Sequence, residues 1–461
     1  MVLAGCGGVS LPGLGGSRPT ATEAPAPIIA PPVTARTVPS PQVQGPPAPE
    51  VFGPPAPRLP GFAPLPPAPP AIAGLPQLAR PQLGDVRVGL LLPLSGPEQA
   101  IGQSLLDAAL LALTEIGNGR VRLLPRDTGG TAEGARAAAE AVLQEGAELI
   151  LGPVFSAEVA AAAQPARARG INVIAFSTDA QVAGNGVYLM GLLPQQQVDR
   201  VVSFAASRGL RRFAALAPQT PYGTTVTDQL RFAASQVGGE LTDATFYPPT
   251  ATDVMNEVRS LARYQARRDR LASQRRLLEA RGDPEARAQL QQLGGLDTLG
   301  GPGYDALLIA EGGPMLRQIA PLLPFFDIDP RQVRFLGTGL WDDPTLGQEP
   351  SLVGGWFAAP PPESVASFME RFNATYQYRP VRIATLAYDS VALAAALARN
   401  DGTPDFGRAA LTSPSGFAGT DGIFRFLPSG IAERGLAVLE VTARGARVID
   451  TAANTFLPVT N

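Results

Sequence analysis

The sequence predicts an α/β protein of two lobes, each built on a parallel sheet, behind a proline-rich segment that excludes regular structure. Three observations carry this expectation. Short apolar runs alternate with helical periodicity over residues 85–178. The same alternation restarts at Arg212 and ends in helices and a β-like tail. Ahead of both, residues 7–84 hold nearly half of the chain's 48 prolines.

The first apolar run, residues 86–92, is too short to span a membrane and has the continuous apolar character of a buried parallel strand. Pro93-Leu94-Ser95-Gly96-Pro97 turns the chain into a helix with Ile101, Leu105, Ala109, Leu113 and Ile116 on one stripe, closed by Gly117-Asn118-Gly119. Strand 121–125, the turn Arg126-Asp127-Thr128-Gly129-Gly130 and an Ala-rich helix repeat the cycle. A third cycle starts at residue 148 and passes Gly152-Pro153-Val154-Phe155-Ser156, and a fourth strand ends at Ser177-Thr178. In such sheets ligands sit at the carboxyl ends of the strands, which here carry small hydroxyl residues and glycines.

The second set contains strand 212–217, Thr220-Pro221-Tyr222-Gly223, a helix and strand 240–247. One helix over 253–280 follows, with Val254, Val258, Leu261, Tyr264, Leu271 and Leu278 on its apolar face and many arginines elsewhere. Gly282-Asp283-Pro284 breaks it and starts a second helix, with Asp283 as N-cap and Pro284 in the first turn. The pair reads as a helical hairpin inserted at 253–295. Its arginines, chiefly Arg267, Arg268, Arg275 and Arg276, form either a solvated face or a dock for an acidic partner. Strands 305–310, 333–336 and 354–358, two helices and a tail with a turn at Ser429-Gly430 complete the chain.

Composition narrows the chemistry. The formal net charge is −3, so the overall field favours neither nucleic acid nor an anionic membrane. There is no histidine, all 37 basic residues are arginine, and Cys6 is the single cysteine. Histidine acid/base catalysis, Schiff-base lysines and a cysteine nucleophile in the folded part are thereby removed. No catalytic residue, metal or cofactor is expected. Paired carboxylates would still permit a hydrolase, with Asp127 and Glu311 as its candidates.

Leu3-Ala4-Gly5-Cys6 resembles a bacterial lipobox, which makes residues 1–6 the remnant of a signal peptide and Cys6 the acylated residue. Gly7 after it fits outer-membrane sorting of Gram-negative lipoproteins. Residues 7–84 then read as a disordered tether in the polyproline regime, with an upper reach of roughly 240 Å at ~3.1 Å per residue.

Gly89-Leu90-Leu91-Leu92-Pro93-Leu94-Ser95-Gly96, Arg126-Asp127-Thr128, Leu151-Gly152-Pro153, Tyr222-Gly223 and Ala387-Tyr388-Asp389-Ser390 stand in the order found in type I periplasmic binding proteins of the leucine/isoleucine/valine group. From residue 85 onward the chain resembles that family. The resemblance implies two lobes closing by a hinge on a small ligand, divided as 85–198 with 361–405 and 199–360 with 406–461. It places Ser95, Ser156, Ser177 and Thr178 at the ligand carboxylate, Tyr222 beside the ligand, and Glu311 and Trp341 near it. One departure bears on the ligand. The family's amino-acid binders carry an acid just after the strand ending at Leu336, to hold the ligand ammonium. Here Gly337-Thr338-Gly339-Leu340-Trp341 precedes Asp342 and Asp343. A buried ammonium without a partner is costly, so a standard α-amino acid is disfavoured.

Lipobox, tether, fold and hairpin together resemble the outer-membrane lipoprotein activators of penicillin-binding proteins, the LpoA type, although that family's N-terminal helical-repeat domain is replaced here by the linker. The expectation is a non-enzymatic lipoprotein on the inner leaflet of the outer membrane. It binds and activates a peptidoglycan synthase through the synthase's periplasmic domain. The alternative is a solute-binding lipoprotein of an ABC importer for amino acids or another small polar ligand.

Overall fold

A computed structural model describes residues 85–117, 119–398 and 403–457. The lipobox, Cys6 and the proline-rich linker lie outside the described residues. The first lobe opens with β1 (Val86–Leu92), α1 (Gln99–Ile116), β2 (Val121–Asp127), α2 (Ala132–Gln144), β3 (Leu149–Leu151), α3 (Ser156–Ala168), β4 (Val173–Ala175) and β5 (Val187–Leu189). Its five strands are all parallel, in the order β2-β1-β3-β4-β5. Central strands β1, β3 and β4 are covered on both faces, which is why they read as continuous apolar runs. Gly89 lets α2 sit directly on β1, since a Cβ there would lie 2.8 Å from the Val142 side chain. Gly152, at φ 79°, leaves no room either: its Cβ would lie 2.2 Å from the Leu91 carbonyl oxygen.

The second lobe carries α4 (Pro194–Ser207), β6 (Arg212–Pro218), α5 (Pro221–Gln236), β7 (Glu240–Tyr247), α6 (Met255–Leu261), α7 (Tyr264–Arg281), α8 (Pro284–Leu293), β8 (Ala306–Ile309), α9 (Gly313–Phe325), β9 (Arg334–Gly337) and β10 (Trp356–Ala359). The chain then returns to the first lobe for α10 (Pro362–Tyr376), α11 (Ala384–Leu397), α12 (Arg408–Leu411) and the antiparallel strands β11 (Phe417–Gly419), β12 (Gly422–Phe426) and β13 (Ala432–Arg434). It ends in the second lobe as β14 (Ala437–Thr442) and β15 (Gly445–Asp450). The second sheet runs β15-β14-β10-β9-β8-β6-β7, with β14 antiparallel to β10 and to β15.

Two expectations are corrected. The division of the chain placed 406–461 wholly in the second lobe. Phe406, Leu411, Phe424, Phe426 and Ala432 are instead buried in one core with β1, α1 and α11, and Leu189 of β5 bridges to Ile431. The tail is uniformly β-like in sequence, and only its packing partners distinguish the part that belongs to each lobe. The single helix over 253–280 is two helices. Arg263, at φ 50°, breaks it and sends its guanidinium to Asp243 at 3.4 Å, against Gly303. Val254, Val258 and Leu261 of α6 and its lead-in serve the core under β7, whereas α7 buries only Arg267, Leu271 and Leu278. Two different faces are buried, so the axis has to turn. Asp283 does cap α8, accepting the Ala286 N–H at 2.7 Å.

The chain crosses between the lobes three times, near Met190, near Pro361 and after Arg434, and a buried set of charges lies where these crossings meet. Arg434 donates Nη2 to the Met190 carbonyl at 2.6 Å and stacks its guanidinium over Phe424. Its backbone N–H donates to Gln196 at 3.2 Å. Arg382 meets the fully buried Asp421 at 2.9 Å, and Thr385 donates its hydroxyl to the same carboxylate at 2.6 Å. Asp389 accepts the Thr420 N–H at 2.7 Å. Burial, and after it the Asp421 charge, raise the Asp389 carboxyl from 3.8 to about 6.

The folded protein therefore holds this proton more tightly than the unfolded chain does. The group withdraws stability as pH rises from its ordinary value through about 6. Asp389→Asn, which keeps an acceptor for Thr420, should gain on the wild type by roughly 2–3 kcal/mol between about pH 4 and about pH 7 in urea unfolding. Parallel pH profiles for the two proteins would show that Asp389 is not the titrating group.

Candidate functional site

A cavity of about 550 Å³ opens between the lobes, lined among others by Ser156, Thr178, Asp179, Gln195, Tyr222 and Thr225. Three helices begin at its edge. Ser156 is the first residue of α3, Pro194 of α4 and Pro221 of α5. Each exists for a local reason. Proline in the first turn suits α4 and α5, where its missing N–H costs nothing, and Thr220 caps α5 by accepting the Gly223 N–H at 3.2 Å. Helix N-termini carry unpaired N–H groups and partial positive charge, so this rim favours an acceptor-rich or anionic group. Among the described residues that line the cavity there is no arginine and one carboxylate, Asp179, which also accepts the Gln181 N–H at 3.0 Å.

Of the residues singled out from sequence, the structure brings Ser156, Thr178 and Tyr222 to this cavity. Tyr222 donates to or accepts from Thr338 at 2.7 Å, and burial pushes its phenol up to about 12, so it stays neutral at physiological pH. Ser177 is buried and does not line the cavity; its hydroxyl accepts the Asp179 N–H at 3.1 Å and secures the turn. Ser95 is exposed in a loop held by Asp127. The Asp127 carboxylate accepts N–H groups of Leu94 at 2.8 Å, Ser95 at 3.2 Å and Gly129 at 2.8 Å. The Ser95 side chain, followed by these backbone donors, keeps its carboxyl below the ordinary value despite some burial.

Trp341 is corrected from a cleft contact to a core residue. It is 1 % exposed, and its ring packs where any Cβ at Gly337 would lie 2.1 Å from it. Its indole N–H donates to the Glu311 carbonyl at 3.1 Å. Glu311 itself accepts the Tyr247 hydroxyl and the Gly312 N–H at 3.0 Å. Burial, and then Glu311, hold the Tyr247 phenol above its ordinary range. Asp127 ends a first-lobe strand and is engaged with the loops around Ser95 and Gly129, whereas Glu311 follows a second-lobe strand and is engaged with Tyr247 and Gly312. The two acids after Trp341 are also engaged: Asp342 faces Arg382 at 3.4 Å, and Asp343 faces Arg317 at 2.8 Å. Among the described residues no group of three or more Asp, Glu, His or Cys side chains is placed to hold a metal ion.

The hairpin arginines divide. Arg267 is buried, bonded to the Gly300 carbonyl at 2.7 Å and to Asp327 at 3.0 Å, and so is corrected from dock to internal strut. Arg275 ties down the carbonyls of Leu293 at 2.6 Å and Leu296 at 3.0 Å. Arg268 and Arg276 are exposed.

Sequence reasoning missed Gln195. Its side-chain oxygen is buried with no hydrogen-bond partner among the described residues, and the residue lines the cavity. The available signal was its place directly after Pro194, at the start of a helix that follows a strand end. An unpaired buried carbonyl costs about 1–3 kcal/mol. Gln195→Met, which fills the same space without that oxygen, should stabilise the ligand-free protein by roughly 1–2 kcal/mol in urea unfolding. A loss of stability would show that the oxygen is satisfied.

The comparisons agree with this architecture. The family described as periplasmic binding protein matches residues 85–446. An ABC transporter substrate-binding protein from Sphaerobacter thermophilus superposes with a TM-score of 0.59 at 20 % identity, covering 79 % of this chain and 97 % of the other. The leucine-binding protein LivK of Thermotoga maritima gives 0.54 at 18 % identity, covering 80 % and 99 %. A solute-binding protein of an ABC transporter from Rhodopseudomonas palustris, in complex with 3,4-dihydroxybenzoic acid, gives 0.54 at 15 % identity, covering 80 % and 98 %. In sequence the chain is 22 % identical to the uncharacterized protein RP748 of Rickettsia prowazekii over 178 residues, which span 39 % of this chain and 47 % of that relative. With a family match over most of its length and a two-lobed parallel-sheet fold, the chain belongs to the periplasmic binding protein family, with the type I fold.

Proposed function

We propose that this chain is a periplasmic solute receptor that takes a small polar molecule between its lobes and serves an ABC-type importer. The observation that carries this reading is a cavity of about 550 Å³ walled by Ser156 and Thr178 from one lobe and Tyr222 and Thr225 from the other. That volume is within the usual range of small-molecule sites. The three helix N-termini accommodate an acceptor-rich end of the solute. Gln195 offers an acceptor to a donor group, and Asp179 offers a place for a cation. The acids after Trp341 are occupied by arginines, so the ammonium position used by amino-acid binders is not available there. Amino acids whose ammonium reaches Asp179, short peptides and aromatic carboxylates are the classes that fit. A solved relative from Streptococcus pneumoniae carries isoleucine and one from Rhodopseudomonas palustris carries a dihydroxybenzoate, which supports both size classes. A binding role, with no catalytic step, is part of this reading.

A second reading is supported by the α7–α8 hairpin, on which Arg268, Arg276 and Leu277 are all exposed, Leu277 by 63 %. In it, the cleft serves as scaffold, Cys6 carries an outer-membrane anchor, the proline-rich segment gives reach, and the hairpin docks on the periplasmic domain of a peptidoglycan synthase.

Thermal-shift titration of the full chain against these three solute classes should give a saturable rise of several degrees for one of them, erased by Tyr222→Ala. No shift with any class counts against the receptor reading. For the second reading, immobilised synthase periplasmic domains should retain the wild-type protein and lose it on the double substitution Arg268→Glu and Arg276→Glu. Equal retention of both would remove the hairpin as the dock.

A further inference from the structure

Among the described residues one ion pair joins the two lobes: Arg382, two residues before α11, and Asp342, just past β9, with Nε 3.4 Å from Oδ2. Arg382 is anchored on its own lobe by Asp421, 2.9 Å from Nη1 and fully buried. Burial opposes the guanidinium charge, and the two carboxylates more than offset it, so the side chain remains a cation held from both sides. Its Nη1 also donates to the Thr385 hydroxyl at 3.3 Å, within its own lobe, and its Nη2 is buried with no hydrogen-bond partner among the described residues, so Asp342 is its one acceptor on the second lobe.

On the far side, Asp342 ends a five-residue loop with little freedom of its own. Thr338 begins that loop and bonds the hydroxyl of Tyr222, which lines the cavity. Gly339 donates its N–H to Gln197 of α4 at 2.6 Å. Trp341 is locked in the core against Gly337 and Gly355. A pull on Asp342 is therefore transmitted to the residue that holds Tyr222. We propose that Arg382 is a positioning residue that couples the separation of the lobes to the second-lobe wall of the cavity. Its Asp421 arm stays fixed to the first lobe, and its Asp342 arm is released when the lobes part. This coupling does not depend on which solute the cavity takes. Both partners are about a third exposed, 29 % and 31 %. A pair in that setting biases an equilibrium by up to about fivefold.

The neighbouring Asp343 supplies an internal control, because its partners, Arg317 and Thr345, belong to its own lobe. The test uses the full chain carrying Cys6→Ala, with spin labels on Ala137→Cys in α2 and Phe232→Cys in α5, both exposed positions. Pulsed dipolar distance measurements should show Asp342→Asn moving weight toward longer inter-lobe distances by up to about fivefold. Asp342→Glu should restore the wild-type distribution, and Asp343→Asn should leave it unchanged. Asp342→Asn is the deciding variant because it leaves the Arg382–Asp421 pair intact. In a Trp356→Phe background the emission of Trp341 should change with Asp342→Asn and not with Asp343→Asn. An unmoved distance distribution in Asp342→Asn, or the same movement in Asp343→Asn, overturns the assignment.

Discussion

Arg434, Asp389 and Asp421, taken out of water at the crossings between the lobes and joined there by the partly exposed Arg382, are the constraint on which the rest of this molecule depends. Isolated, any one of these charges would be strongly unfavourable, and together they are tolerable because each is bonded or faces an opposite charge. Arg434 reaches the carbonyl of Met190 on the first crossing, and Asp421 and Asp389 offset its charge. Asp389 fixes the turn between β11 and β12 through Thr420, where Gly419 is needed because a Cβ would lie 2.5 Å from the carboxylate. Three strands of chain that could otherwise slide past one another are thereby tied to one electrostatic centre. Removing Asp421 would strand Arg382 and Arg434, whereas Asp389 can give up its charge and keep its bond to Thr420.

That arrangement accounts for what the motifs do. Asp127 spends its carboxylate on three N–H groups of the loops that carry Ser95 and Gly129. Gly152 makes room for the Leu91 carbonyl. In the Ala387-Tyr388-Asp389-Ser390 segment, Asp389 serves the crossings, and the Tyr388 hydroxyl donates to Glu115 at 2.6 Å, joining α11 to α1. These residues fasten loops and helices of the first lobe and are not among those named as lining the cavity. The lining falls to less distinctive residues, Thr178, Gln195, Tyr222 and Thr225, presented at strand ends and helix starts. A scaffold of this kind can change its ligand by altering a few rim side chains while its turns and crossings stay the same.

The hairpin shows the same economy. Arg267 is sunk into the base of α7, and Arg275 satisfies carbonyls at the end of α8, where helix termini leave acceptors unpaired. An arginine-rich helix is therefore partly its own fastening, and only the residues on its outer face are free for another molecule. Charge counted along the sequence overstates what the surface presents.

The sequence by itself determined the α/β class, most of the strand and helix order, the cap at Asp283 and the break at Gly282, because period and turn chemistry are local. The family resemblance pointed to Ser156, Thr178 and Tyr222, which line the cavity, and equally to Ser95 and Ser177, which do not. Tertiary structure alone decided that Trp341 is core, that Arg267 is a strut, that Asp342 meets Arg382, and that residues 406–434 join the first lobe. Each of these depends on a partner far away in the chain, and neither periodicity nor residue type encodes which distant group will come within a few ångströms. The kink at Arg263 belongs with them: the apolar spacing is continuous, and only the two different surfaces being buried force the helix to turn.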